Sequence, residues 1–217
     1  MKNRFYLTSS HGSLGSNIMW HRHNEKGYTS DLDQAHVYTR EQAQKEWAES
    51  WGECQPISAD HVDELAIWKV DCQYIPKKTT LDDDCANYVA YKEGQWDGND
   101  VFWMSMLIGP TTNFSRAYVI GFDIVDEFLK SDDSNGFVVI PKHLAEKAKR
   151  RTFEFNKLNR RRMIQGAGLI TPKNVRKINK RVKNPMSRFN CHVCGKINWQ
   201  HNPYDFEGCK HCYVGAI

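Results

Sequence analysis

Gly27-Tyr-Thr29-Ser30-Asp31-Leu32-Asp-Gln-Ala35-His-Val37 aligns without gaps on Gly109-Pro-Thr111-Thr112-Asn113-Phe114-Ser-Arg-Ala117-Tyr-Val119. Four of the eleven positions are identical, and three more keep their chemistry as Ser/Thr, Asp/Asn and Leu/Phe. Upstream, Phe5 to Trp20 aligns on Tyr88 to Trp103, matching Gly15 with Gly98 and Ile18-Met-Trp20 with Val101-Phe-Trp103. A repeat at this separation is the signature of a duplicated structural unit.

The shared pattern has a physical reading. An aromatic-led apolar run, Phe5–Thr8 or Tyr88–Tyr91, passes through a polar glycine-containing turn to a second run ending in Trp20 or Trp103. Short alternating runs bounded by Gly, Asn and Ser read as a hairpin. Ser30-Asp31 and Thr112-Asn113 then suit a turn in which short polar side chains accept from nearby N–H groups. Thr39-Arg-Glu-Gln42 has capping-box spacing and opens a helix to about Trp51. Phe122 to Lys130 gives the corresponding shorter helix, and Glu64 to Ile75 reads as a strand between the copies. The expected fold class is α+β: duplicated small ββα modules forming one body, at residues 1–55 and 88–140, joined by a strand and linker at 56–87.

Charge is distributed unevenly. Residues 1–141 carry 12 Lys and Arg against 22 Asp and Glu, whereas residues 142–188 carry 16 against two, Glu146 and Glu154. Such separation indicates a polyanionic partner for the basic stretch; the competing reading folds it back on the acidic body. Pro141 to Gln165 reads as one helix with Pro141 at its first position. Gly166-Ala-Gly168 breaks it, and Thr171-Pro172 opens a second helix ending near Val182. This basic helical arm, 141–188, supplies the candidate nucleic-acid contacts Arg150, Arg151, Arg160, Arg161, Arg162, Lys173, Arg176, Lys177, Lys180 and Arg181, because Lys and Arg neutralise phosphates. Nothing in the stretch distinguishes DNA from RNA.

The chain then carries Cys191-His-Val-Cys194 and, after fourteen residues, Cys209-Lys-His-Cys212. Two residues between cysteines let both sulfurs of a pair reach one ion, so Cys191, Cys194, Cys209 and Cys212 form one closed four-thiolate set. Residues 189–217 resemble a zinc ribbon, which implies one structural Zn2+ per chain and a fold class that serves nucleic-acid binding and protein docking alike. The first copy, with Gly27 to Ala43 following a tryptophan, resembles short modules of uncharacterised bacteriophage proteins, which implies a phage origin. Seven cysteines, an odd count, with an expected zinc site and no expected secretory leader favour a reducing cytosol, that of the host for a phage-encoded chain.

Other chemistry is weaker. His21-Arg-His23, with His11, offers imidazoles for a metal or for acid–base work. Asp82-Asp83-Asp84 and Asp97 with Asp100 offer carboxylates for a two-metal nuclease. Trp199-Gln-His201-Asn202 is similar to part of an HNH nuclease but sits in too short a loop. There is no P-loop, GxSxG or HExxH. No apolar run approaches the ~20 residues that span a bilayer, and a secretory leader is not expected at the start of the chain. The favoured expectation is a non-enzymatic protein that binds nucleic acid or a nucleoprotein complex. A protein-binding inhibitor of a host factor, with the acidic body imitating nucleic acid, is the alternative, and a metal-dependent nuclease is the second.

Overall fold

A computed structural model describes residues 3–106, 109–178, 186–202 and 204–214. The fold is mixed α and β, in two compact units, Met1–Val175 and Arg176–Ile217.

The first unit begins with the hairpin β1 (Phe5–Leu14) and β2 (Asn17–His21), followed by β3 (Tyr28–Thr29) and a one-turn 3-10 helix at Leu32–Gln34. Helix α1 (Arg40–Glu49) opens on the expected capping box, the Thr39 side chain accepting from Gln42 N–H while Gln42 accepts from Thr39 N–H. Strand β4 (Pro56–Ser58), helix α2 (Ala59–Leu65) and strand β5 (Ile67–Val70) complete this half. The expected strand Glu64–Ile75 is therefore shorter, because Ala59 to Leu65 turn into a helix that buries Ala59 and Val62. The second half runs through β6 (Asn87–Asp97), β7 (Asp100–Trp103), a 3-10 turn at Phe114–Arg116, β8 (Val119–Gly121), α3 (Phe122–Lys130), β9 (Phe137–Pro141), α4 (Lys142–Ala148) and β10 (Lys149–Thr152).

The pairing registers of the two halves coincide position for position. Strand β1 pairs β2 through Thr8↔Trp20, Ser13↔Ile18 and Leu14↔Asn17, and β6 pairs β7 through Tyr91↔Trp103, Trp96↔Val101 and Asp97↔Asp100. Strand β1 pairs β4 through Tyr6↔Ile57 and Leu7↔Pro56, and β6 pairs β9 through Val89↔Ile140 and Ala90↔Val139. Both hairpins carry an irregularity at the same place, between Thr8 and Ser13 and between Tyr91 and Trp96. Asp31 and Asn113 cap their 3-10 turns identically, by accepting from Asp33 N–H and Ser115 N–H. Trp20 and Trp103 are both fully buried, each with an indole N–H that lacks a partner among the described residues.

Each half is completed by a segment of the other. After β5, Val70 and Ile75 enter the core of Val89, Tyr91, Val101, Trp103, Phe114 and Ile140. After β10, Phe153 and Met163 enter the core of Tyr6, Ile18, Trp20, Leu32 and Ile57. The crossing is pinned by backbone bonds that again correspond: Cys72 N–H donates to Asn99 O at 2.8 Å, and Phe155 N–H to Ser16 O at 2.9 Å. The crossing segments form the antiparallel ladder β5–β10, in which Trp68 faces Arg151. Gly15 and Gly98 meet back to back where the two hairpin turns touch; both have positive φ, and a Cβ on either would collide with the other's backbone. Only glycine meets both conditions.

This geometry corrects the expectation of a single basic helix over 141–165. Only Lys142–Ala148 is α-helical there; Lys149–Thr152 is strand, Phe155–Lys157 a 3-10 turn and Arg161–Gln165 a π-helical turn. The physical reason is tertiary: β10 satisfies its backbone on β5, and buried Thr152 and Phe153 join the core, which overrides local helix propensity. The second helix, α5 (Lys173–Ile178), begins where Thr171-Pro172 places it, and its expected end near Val182 lies outside the described residues.

At the crossing sits a buried ionic network. Lys69 is fully buried, with Nζ 2.8 Å from Ser16 Oγ, 3.1 Å from Glu154 Oε1, 3.2 Å from Asp97 Oδ2 and 3.8 Å from Asp100 Oδ2. Arg150 Nη2 lies 2.7 Å from Asp100 Oδ1, a close ion contact without hydrogen-bond alignment. Burial pushes the Asp100 carboxyl up. Burial also acts to raise Asp97, but the Ser16 hydroxyl and N–H and Lys69 outweigh it and hold Asp97 below its ordinary value.

A buried ion pair adds little net stability, whereas removing one partner strands the other at about 3–5 kcal/mol. Lys69→Ala should destabilise by that amount in urea unfolding, while the equally long but exposed Lys45→Ala should cost under about 1 kcal/mol. A loss for Lys69→Ala no larger than for Lys45→Ala would show that the network is solvated. A carboxyl held low in the folded state contributes stability above its unfolded pKa that disappears as pH falls. Asp97→Asn should therefore flatten the fall of stability below the ordinary carboxylate range, about pH 4, relative to wild type.

Candidate metal centre and basic surface

In the second unit, β11 (Ser187–Asn190) and β12 (Ile197–Gln200) form a hairpin flanking the first cysteine pair. Two similar knuckles present the sulfurs. Gly195 N–H donates to Cys191 O and Tyr213 N–H to Cys209 O, both at 2.8 Å, and the next turn of chain closes with Cys191 N–H on Lys196 O and Cys209 N–H on Val214 O. The left-handed residue of the first knuckle is Gly195 and that of the second is Tyr213, at φ 58.

The four sulfurs lie within 4.8 Å of one another. Cys191 to Cys212 and Cys194 to Cys209 are each 3.6 Å apart. Four thiolates at about 2.3 Å from a tetrahedral ion stand about 3.8 Å apart, so the cluster has the size of a metal cage. Bonds to sulfur point the same way: Cys194 N–H donates to Cys191, and His211 N–H and Asn198 Nδ2 to Cys209. Burial acts to raise the Cys209 thiol, but the His211 and Asn198 donors outweigh it and hold it below its ordinary value. At Cys212 a backbone bond at Val214 acts to lower the thiol, but burial and the neighbouring sulfurs outweigh it and push it up. Four cysteines thus stand ready to hold one metal ion. His192 and His211 do not complete the set; the His192 ring packs on Phe206.

The basic candidates separate into three groups. Arg150 and Arg151 face into the first unit: Arg150 reaches Asp100 and Asp71, and Arg151 reaches Asp33 at 2.7 Å and Asp63 at 3.4 Å. Here the basic stretch does fold back on the acidic body. Arg160, Arg161 and Arg162 are all exposed, and among the described residues only Arg162 reaches a carboxylate, Glu64 at 3.6 Å with both side chains 61% exposed. Lys173 is exposed at the start of α5, which also carries Arg176 and Lys177, while Lys180 and Arg181 lie outside the described residues. On the tail hairpin, exposed Arg188 stands opposite Trp199, a cross-strand pair that no sequence motif announces.

The nuclease carboxylates divide as well. Asp97 and Asp100 are engaged with Lys69 and Arg150, as described, and Asp82 to Asp84 are exposed in a turn where Asp82 accepts from Asp84 N–H. His21 does not act with His23. Its Nε2 lies 3.2 Å from Cys54 Sγ and its Nδ1 3.4 Å from the Tyr38 hydroxyl, a pairing that sequence separation concealed. Burial lowers the His21 imidazole and raises the Cys54 thiol. No helix among the described residues is long and apolar enough to cross a membrane. The sequence matches no family model, no curated protein and no solved structure.

Because the donor set supplies the folding energy of such a small hairpin, Cys194→Ser or Cys209→Ser should abolish metal binding at the tail and expose it to proteolysis. Elemental analysis and limited proteolysis check this. A variant that keeps its full metal content and a protease-resistant tail would refute the assignment.

Proposed function

We propose that this protein binds nucleic acid, with a C-terminal zinc ribbon as a structural element and the exposed arginines of residues 160–162 as its main phosphate contacts. The observation that carries the reading is this cluster: three consecutive guanidiniums on one exposed turn, in a chain that neutralises its neighbouring Arg150 and Arg151 internally. Guanidinium presents a planar fork that matches phosphate oxygens, and a solvated cluster is otherwise self-repelling. The Arg188–Trp199 pair on the tail hairpin supports the same chemistry, an aromatic face for a base beside a cation for the backbone. Zinc suits the four-thiolate set because a closed tetrahedron of cysteines is its usual structural site.

In this reading the body is a duplicated module whose role is to present these elements. The coincident registers of the two halves support duplication, and the first half's resemblance to phage modules supports a phage setting. DNA and RNA satisfy the proposed contacts equally.

The test uses the full chain, because residues 142–175 belong to the body. On duplex DNA, log K should fall with log salt at a slope of about −0.9 per phosphate neutralised. Arg160→Ala/Arg161→Ala/Arg162→Ala should weaken binding alike on unrelated sequences and flatten the slope by about one for each phosphate no longer neutralised. Absence of measurable affinity for DNA and RNA at low salt would sink the proposal. Unchanged affinity in the triple variant would remove the cluster from it.

A further inference from the structure

In the second half of the body, Met104, Tyr118, Phe128 and Phe137 pack together against the buried cluster of Tyr88, Ala90, Ile120, Val125 and Val139. Their counterparts in the first half follow from the shared registers. His36 N–H donates to His21 O at 2.8 Å, as Tyr118 N–H donates to Met104 O at 2.8 Å. Glu46 and Phe128 hold the same position in α1 and α3, counted from Arg40 and Phe122. Cys54 stands two residues before Pro56, the partner of Leu7, as Phe137 stands two before Val139, the partner of Ala90. Where one half seals its core with Met, Tyr, Phe and Phe, the other carries His21, His36, Glu46 and Cys54.

An apolar seal is favourable at about 25 cal/mol per Å2 buried, and four ligand-type side chains forgo it. Three of them face an opening: His21, His36 and Glu46 line a cavity of about 480 Å3 with Arg22, Tyr28 and Tyr38. Behind it, His21 Nε2 is 3.2 Å from Cys54 Sγ, and the His36 ring packs edge-on against Tyr38 at 4.4 Å.

We propose that His21, His36 and Cys54, joined by Glu46, form a second metal site for a divalent transition-metal ion of the zinc class. Imidazole and thiolate ligands of one tetrahedral zinc ion stand about 3.6 Å apart, so the His21–Cys54 pair needs to open by only a few tenths of an ångström. A neutral His21 with its proton on Nδ1, directed at the Tyr38 hydroxyl, leaves the Nε2 lone pair for the metal, the second-layer arrangement typical of ligating histidines. On binding, the Cys54 thiol releases its proton to solvent and the sulfur takes the ion in its place. One thiolate and one carboxylate then neutralise the divalent charge. Glu46 is exposed on α1 and closes on the ion by a change of rotamer; among the described residues only the tail cysteines already bring three or more ligand atoms within 4.8 Å of one another. With three or four ligands of mixed type and one side open to the cavity, the site is of the open kind that can take a small anionic or hydroxyl-bearing ligand, unlike the closed tail site.

Elemental analysis of the full chain, reconstituted with excess zinc and desalted, should find two equivalents. Cys54→Ser and His21→Gln should each retain one, and Cys209→Ser should also retain one, now at the body. In the Co2+-loaded Cys209→Ser protein, a weak near-ultraviolet sulfur-to-cobalt band from a single thiolate should persist, and Cys54→Ser added to it should remove that band. His21→Met/His36→Tyr/Glu46→Phe/Cys54→Phe, which installs the residues of the other half, should lose the second equivalent and raise the thermal midpoint, separating loss of ligands from loss of fold. Wild type retaining a single equivalent that disappears in Cys209→Ser and survives in Cys54→Ser would overturn this site while leaving the tail assignment intact. Two equivalents surviving in the fourfold variant would overturn it as well.

Discussion

Burying Lys69 at the crossing of two chain segments is the constraint on which the rest of the body depends. Its ammonium is held between Ser16 and Asp97 of the two hairpin turns and Glu154 of the second crossing segment. A fully desolvated cation is tolerated only where every one of these groups arrives in register. The ladder β5–β10, the contact of Gly15 with Gly98 and the exchange of Val70 and Phe153 between cores are therefore one arrangement. An alternative closure, each half keeping its own last strand, would leave Lys69 and Asp100 without each other. Such networks add specificity more than stability, and here the specificity chosen is that of exchange.

The hairpins, both helices α1 and α3 and the four-cysteine cluster were legible in the sequence because local rules dictate them. Thr39 and Gln42 cap a helix wherever they occur, glycine turns are short-range, and CxxC pairs announce their geometry by spacing. The closing segments were not legible. Pro56 to Ile75 and Val139 to Leu158 follow the same path, yet Ile57 and Ile140 alone are identical along it. Apolar positions of one path stand where the other has cations: Ile67 and Trp68 of β5 correspond to Arg150 and Arg151 of β10. What the path preserves is a handful of apolar positions, Val70 with Phe153 and Ile75 with Leu158, too sparse to betray a strand.

That substitution also explains why the charge run misled. Sixteen cations in residues 142–188 invite a solvated arm, but the two arginines of β10 meet carboxylates of the body on folding. Arg150 and Arg151 find Asp71, Asp100, Asp33 and Asp63 within their own chain. Net charge is a sum over residues, whereas partner recruitment depends on charge left exposed after folding. Among the described residues, Arg160 to Arg162 are three consecutive exposed cations, beyond the strand, where the chain leaves the ladder and turns through a π-helical segment.

The two halves share a backbone and differ in what they place on it. One lines the edge of its sheet with Met104, Tyr118, Phe128 and Phe137; the other puts His21, His36, Glu46 and Cys54 at the same positions. Apolar sealing and titratable side chains compete for the same space, since a polar group withdrawn from water without a partner is unfavourable by more than a methylene is favourable. The two halves resolve that competition differently. The second half is sealed at this edge and joined to the first through β5–β10, while the first keeps His21, His36 and Glu46 beside an open cavity. The exchange of segments makes this a mechanical statement about the molecule: Phe153, carried over from the second half, is part of the core on which Trp20 packs. Trp20 in turn is the residue immediately before His21.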